Sequence, residues 1–136
     1  MNRIRTIVSL AAVAGLLGLA GGVAWGQAAK WDAPAAEKAK KNPVAFAKES
    51  IAAGEKIAKT NCAPCHGDKG KGDGPGAAAL PKKPADWTSK MVQAETDGAL
   101  FWKISKGNPP MPPWESLPEK DRWNLVNYIR SVGGKK

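Results

Sequence analysis

Residues 61–67 read NCAPCHG, and they hold both cysteines of the chain, Cys62 and Cys65, together with its one histidine, His66. C-x-x-C-H is the pattern through which a c-type haem is attached. The spacing has a physical basis. Two thiols one helical turn apart can form thioethers to the two vinyl groups on one edge of a porphyrin, and the adjoining imidazole then falls beneath the iron. Three other readings compete for the same residues. A zinc site wants four ligands, usually Cys and His at paired spacings, and only three such residues exist in the 136. A thioredoxin-like dithiol stands near a βαβ pattern, and the flanks here carry no strand signal. A structural disulfide suits an oxidising compartment but leaves His66 without a role. The pattern therefore points to one covalent haem c, with thioethers at Cys62 and Cys65 and His66 as the proximal iron ligand.

The N-terminus agrees with an oxidising compartment. Arg3 and Arg5 give a short basic start, Ile7 to Trp25 follows without a charge, and Ala24 and Gly26 supply the small residues of a cleavage site. Residues 1–26 read as a secretory signal peptide, with Gln27 as the first mature residue. The alternative is an uncleaved anchor, because 19 mostly apolar residues come close to spanning a bilayer. Loss of Arg3 and Arg5 leaves 19 basic against 12 acidic residues, a net charge of +7. That excess suits an acidic partner or surface. Nucleic acid is not expected, since no binding motif is present. Residues 27–43, rich in Ala, Lys and Pro, read as a flexible leader, residues 44–132 as the folded domain, and residues 133–136 as a basic tail.

Within the domain, Asn42 and Pro43 suit the N-cap and first position of a helix. Val44, Ala47, Ile51, Gly54 and Ile57 then share one face. His66 to Gly76 holds five glycines and a proline in eleven residues and reads as a loop. Thr96 and Gly107 bracket a short helix with Leu100, Phe101, Trp102 and Ile104. The last helix starts either at a Ser116/Glu119 capping box or with Pro118 at its first position. It places Trp123, Val126, Ile129 and Val132 on one side, Leu125 and Tyr128 on the adjoining one, and closes at Gly133. No stretch alternates like a strand, so the fold class is all-α with long loops. A bound haem would supply apolar core that about 90 residues cannot easily build. Residues 108–114, NPPMPPW, read alone as an extended polyproline II segment.

CAPCH, GKGDGPGA (70–77), TDGALFW (96–102), MPPW (111–114) and WNLVNYI (123–129) together resemble the small single-haem class I c-type cytochromes of bacteria, over about Val44 to Val132. The resemblance implies the cytochrome c fold, three to four short helices and long loops around one haem. It makes Gly54 the small residue where the N- and C-terminal helices cross, although Ala58 stands where the family often has an aromatic residue. Pro75 resembles the proline whose carbonyl accepts the Nδ1–H of the proximal histidine. The family takes its distal iron ligand from a loop before the C-terminal helix, where Met111 stands. Chain length agrees: Met91 follows His66 by 25 residues, whereas Met111 is 45 residues on, with a whole helix in which to travel to the opposite face. Met91 is then a core or loop residue. Trp87 and Trp102 have indole N–H groups able to reach the haem propionates, with core packing the simpler role.

The implied function is a periplasmic one-electron carrier, not an enzyme, since such haems are attached outside the cytoplasm in bacteria. Redox proteins with acidic docking surfaces would be its partners, and Lys69, Lys71, Lys82, Lys83, Lys103 and Lys106 belong to segments expected near the haem rim. A monomer is expected. Two alternatives stay open: a haem c subunit of a larger oxidoreductase, and a haem enzyme or gas-binding protein with a labile distal ligand.

Overall fold

The computed structural model describes residues 31–135. The expected signal peptide and the first residues of the expected leader lie outside them, as does Lys136. The described residues form six α-helical segments, α1 (Ala35–Lys38), α2 (Lys48–Asn61), α3 (Ala63–His66), α4 (Lys90–Gln93), α5 (Asp97–Lys106) and α6 (Glu119–Val132), with one 3₁₀ turn at Ala77–Ala79. Among the described residues there is no strand, only an isolated bridge between Asn108 and Met111. No described helix is long and apolar enough to cross a membrane.

The two longest helices, α2 and α6, cross at Gly54. A Cβ there would stand 2.1 Å from the Asn124 carbonyl oxygen and 2.9 Å from Tyr128 Cβ, so only glycine permits this approach. One turn on, Ala58 is buried at 3 % exposure, which extends the close contact where a larger side chain would wedge the helices apart.

Asn42 and Pro43 do not start α2. The helix begins six residues later, after Ala47 in an extended conformation (φ −140°, ψ 161°), and the Ala47 N–H donates to Ser50 Oγ at 3.2 Å. Asn42 is used elsewhere: its Nδ2 donates to the Trp123 carbonyl (3.2 Å) and to Asn127 Oδ1 (2.9 Å) on α6. Asn127, itself buried, donates in turn to the carbonyls of Val44 and Ala45 and to Ser50 Oγ. A buried amide must find partners, and satisfying Asn127 draws the non-helical segment 42–47 and Ser50 at the start of α2 onto α6.

The expected flexible leader is also corrected over its described part. Ala33 is buried at 4 % exposure. A Cβ at Gly98 would stand 2.0 Å from the Glu37 carbonyl oxygen, and Lys103 Nζ lies 5.1 Å from the centre of the Trp31 ring. Glycine on α5 thus lets α1 lie directly on the helix, and the leader becomes a strap.

α5 forms as its sequence predicts. Thr96 Oγ1 accepts from the Ala99 N–H at 3.2 Å, and Gly107 ends the helix at φ 64°. α6 starts after Pro118, which occupies the N-cap position itself, so neither predicted start is adopted. Glu119 instead accepts from Trp123 Nε1 at 3.2 Å. Every residue from Trp123 to Arg130 is buried, because α2, α5 and the 42–47 segment cover α6 on several sides. Phe101 stacks on Trp123 with ring centres 3.9 Å apart, and Arg130 Nε bonds Asp97 Oδ1 at 2.8 Å. Met91 is not a core residue; it stands on α4 at 73 % exposure.

Candidate haem site

Cys62 ends α2 and opens α3, so the motif continues the helix rather than hanging from it. The Cys62 N–H reaches Ala58 O at 2.8 Å, and the Cys65 and His66 N–H groups reach Cys62 O at 3.1 and 2.8 Å. Pro64 sits in the first turn of α3, where its missing N–H costs nothing. The two thiols therefore stand one turn apart with the imidazole next to the second. Both are free and half-buried. Burial pushes the Cys62 thiol up to about 11, with Cys65 nearby adding to the effect. It is a neutral thiol near neutral pH.

The glycine-rich loop that follows folds back onto the motif. The N–H groups of Gly72, Gly74 and Gly76 reach the carbonyls of His66, Cys65 and Pro64 at 2.8, 3.1 and 2.8 Å. The end of α3 thereby has its open carbonyls satisfied. A Cβ at Gly74 would stand 2.4 Å from Ala63 O, which explains glycine at that position. The loop closes where the Trp87 N–H reaches Gly70 O at 2.7 Å.

That closure lays the Ala85 carbonyl 3.0 Å from His66 Nδ1. A carbonyl can only accept, so Nδ1 carries the proton and Nε2 keeps the lone pair a metal would use. Pro75 does not make this contact. It is exposed, and its two glycine neighbours are committed to the α3 carbonyls, while the 84–87 segment passes over the ring. Burial lowers the pKa of His66 and the Ala85 bond partly opposes this; the net effect favours the neutral, metal-binding imidazole.

Met111 stands apart from this turn, on the loop between α5 and α6. The loop is a closed turn and not an extended polyproline II segment. Asn108 and Met111 exchange two backbone hydrogen bonds of 2.9 Å, across a cis Pro109–Pro110 bond. The Trp114 N–H reaches the Ile104 and Ser105 carbonyls at 3.1 Å. Residues 108–114 have only three amide N–H groups, and all three are paired. The loop also lies on Gly107, where a Cβ would stand 2.6 Å from Pro112 C. Met111 itself is half-buried.

Sequence reasoning gave two residues beside His66 no role toward its ring, although it had named Trp87 for a propionate contact or core packing. Ala85 acts through its carbonyl, for which no residue type is diagnostic. Trp87 stacks on the imidazole, ring centres 4.8 Å apart and planes 25° apart; its signal was a tryptophan soon after a glycine-rich loop.

The donor set fits a haem. Among the described residues no three His, Cys, Asp or Glu side chains are grouped to hold a metal ion. His66 is thus the one imidazole in a place where a protein-only metal site would need several ligands. A porphyrin brings four nitrogens with its iron and asks only for axial ligands.

A lone imidazole beside two thiols one turn apart, on an all-α frame with crossed terminal helices, defines a c-type cytochrome domain. The profile of the family described as cytochrome c oxidase, cbb3-type, subunit III, matches residues 49–129, and the chain belongs to that family. Among solved structures it is similar to a chain of a reducing HAO-like protein complex from Kuenenia stuttgartiensis, at 31% identity and a TM-score of 0.60. That similarity covers 66% of this chain and 46% of the other, so this chain spans less than half the length of its structural neighbour. None of the curated proteins compared with it matches. Haem binding and electron transport through its iron follow from the family.

Proposed function

We propose that the protein is a one-electron carrier exported to the periplasm. In this reading a single haem c is joined through Cys62 and Cys65 and ligated by His66 and Met111. The observation that supports it is His66 held with Nδ1 engaged by Ala85; Met111 sits in a separate turn whose amides are all satisfied. Haem c supplies a reversible one-electron centre, and a thioether ligand favours its ferrous state. With His66 and Met111 both holding the iron, no position would be left for substrate, which would separate a carrier from an enzyme.

A second reading is favoured by one observation. The structural neighbour belongs to a multi-protein complex, so this chain is also suited to passing electrons inside a larger oxidoreductase assembly. In either setting the net charge of +7 left after residues 1–26 suits a partner with an acidic docking surface.

Stopped-flow mixing of reduced protein with an anionic redox partner should give association rates that fall as salt is added. In Met111→Ala the methionine-to-iron absorption band of the oxidised protein should vanish and cyanide should bind readily. An unchanged spectrum in that variant would remove Met111 from the iron.

A further inference from the structure

Trp87 is more tightly held than core packing requires. Its indole lies on the His66 ring, and a Cβ at Gly70 (φ +69°) would stand 2.2 Å from its Cε3. Tyr128 meets it edge-on, ring centres 6.1 Å apart at 84°, and the Tyr128 hydroxyl donates to Asp68 O at 3.1 Å. The backbone is fixed as well. The Trp87 N–H bonds Gly70 O, and the Trp87 carbonyl accepts from Gln93 Nε2 at 2.6 Å, which also donates to Ile129 O at 3.0 Å. The indole is thus wedged between the haem-motif loop and α6, at 7 % exposure.

We propose that Trp87 is a positioning residue that sets the plane of the His66 imidazole. The Ala85 hydrogen bond holds one ring atom, but the last torsion of a histidine side chain has a broad energy well. The ring can still rock about that bond. A flat, immobile surface 4.8 Å away removes this freedom. The orientation of an axial imidazole decides which iron d orbital overlaps the ring π system, and so sets the magnetic axes of the ferric state. The inference rests on His66 ligating haem iron, as proposed above.

The test is proton NMR of the ferric holoprotein, read at the haem methyl resonances, whose spread reports the imidazole plane. Trp87→Leu should shift and reorder these resonances, and Trp87→Phe, which keeps a flat face, should restore most of the wild-type pattern. Gly70→Ala pushes the indole without removing it and should shift them too; it carries the test if Trp87→Leu yields no holoprotein. Gly98→Ala disturbs packing of the strap on α5, far in sequence from His66, and should leave them in place. Wild-type methyl shifts in both Trp87→Leu and Gly70→Ala would overturn the proposal, as would equal shifts in Gly98→Ala. A wild-type protein without low-spin ferric signals would instead overturn the haem ligation itself, and this proposal with it.

Discussion

Met111 is one flexible thioether among four prolines, and the structure gives that arrangement a reason. A loop without helix or sheet to brace it must satisfy its own backbone, and this one has only three amides to satisfy, all paired. The prolines also reduce the freedom of the unfolded loop. Replacing Pro110 and Pro112 by alanine should therefore free the loop by roughly 0.4–1 kcal/mol per site. With Met111 on the iron as proposed, cyanide binding would require the methionine to leave and should be faster by about two- to fivefold per proline, with haem attachment intact. Unchanged cyanide kinetics would show that these prolines do not hold the ligand. The candidate ligands themselves were legible as residues, since Cys62, Cys65 and His66 exhaust their types in the chain. What supports them was not. The acceptor for His66 is the carbonyl of Ala85, not that of Pro75, and a carbonyl belongs to every residue alike. Only the path of the loop decides which one arrives.

At the scale of elements, local signals succeeded where they were locally answered. Thr96 and Gly107 bracket α5 because each bonds within its own turn. Asn42 caps no helix: its Oδ1 accepts locally from the Val44 N–H, while its Nδ2 donates to Trp123 and Asn127, more than 80 residues away, and these tertiary contacts set the path of the chain. The same holds for the strap: its composition suggested a mobile leader, yet Gly98 on α5 opens a place for it. Gly54 was legible because a glycine inside a helix costs about 1 kcal/mol and so needs a reason. Its reason is the crossing with α6. Gly54→Ala should gain that helix propensity but force a methyl to 2.1 Å from a backbone oxygen. Overpacking of this kind costs about 1–3 kcal/mol, and a rigid backbone neighbour puts the expected cost at the upper end. Thermal unfolding of the holoprotein should show a clear net loss of stability; a variant as stable as the wild type would mean the helices can separate at little cost.

At the scale of the whole molecule, the all-α frame brings the ends of the domain together. α2 delivers the cysteines and histidine, α6 locks across it at Gly54, and α5 runs out into the methionine loop. The strap ties the chain to this frame, with Ala33 buried and the Trp31 ring beside Lys103 of α5. The cofactor could be inferred from one seven-residue stretch because haem chemistry imposes both its ligands and their spacing, whereas the fold class needed the absence of strand alternation and the four further motifs. Partner and assembly leave no comparable imprint on a sequence, which is why charge alone speaks to them. The account turns on a haem joined to the chain at Cys62 and Cys65. The most direct test is the intact mass of the exported protein under denaturing conditions. The account predicts the chain from Gln27 plus one haem, with the haem lost from a Cys62→Ala, Cys65→Ala double variant. A wild-type mass equal to the bare polypeptide would contradict it.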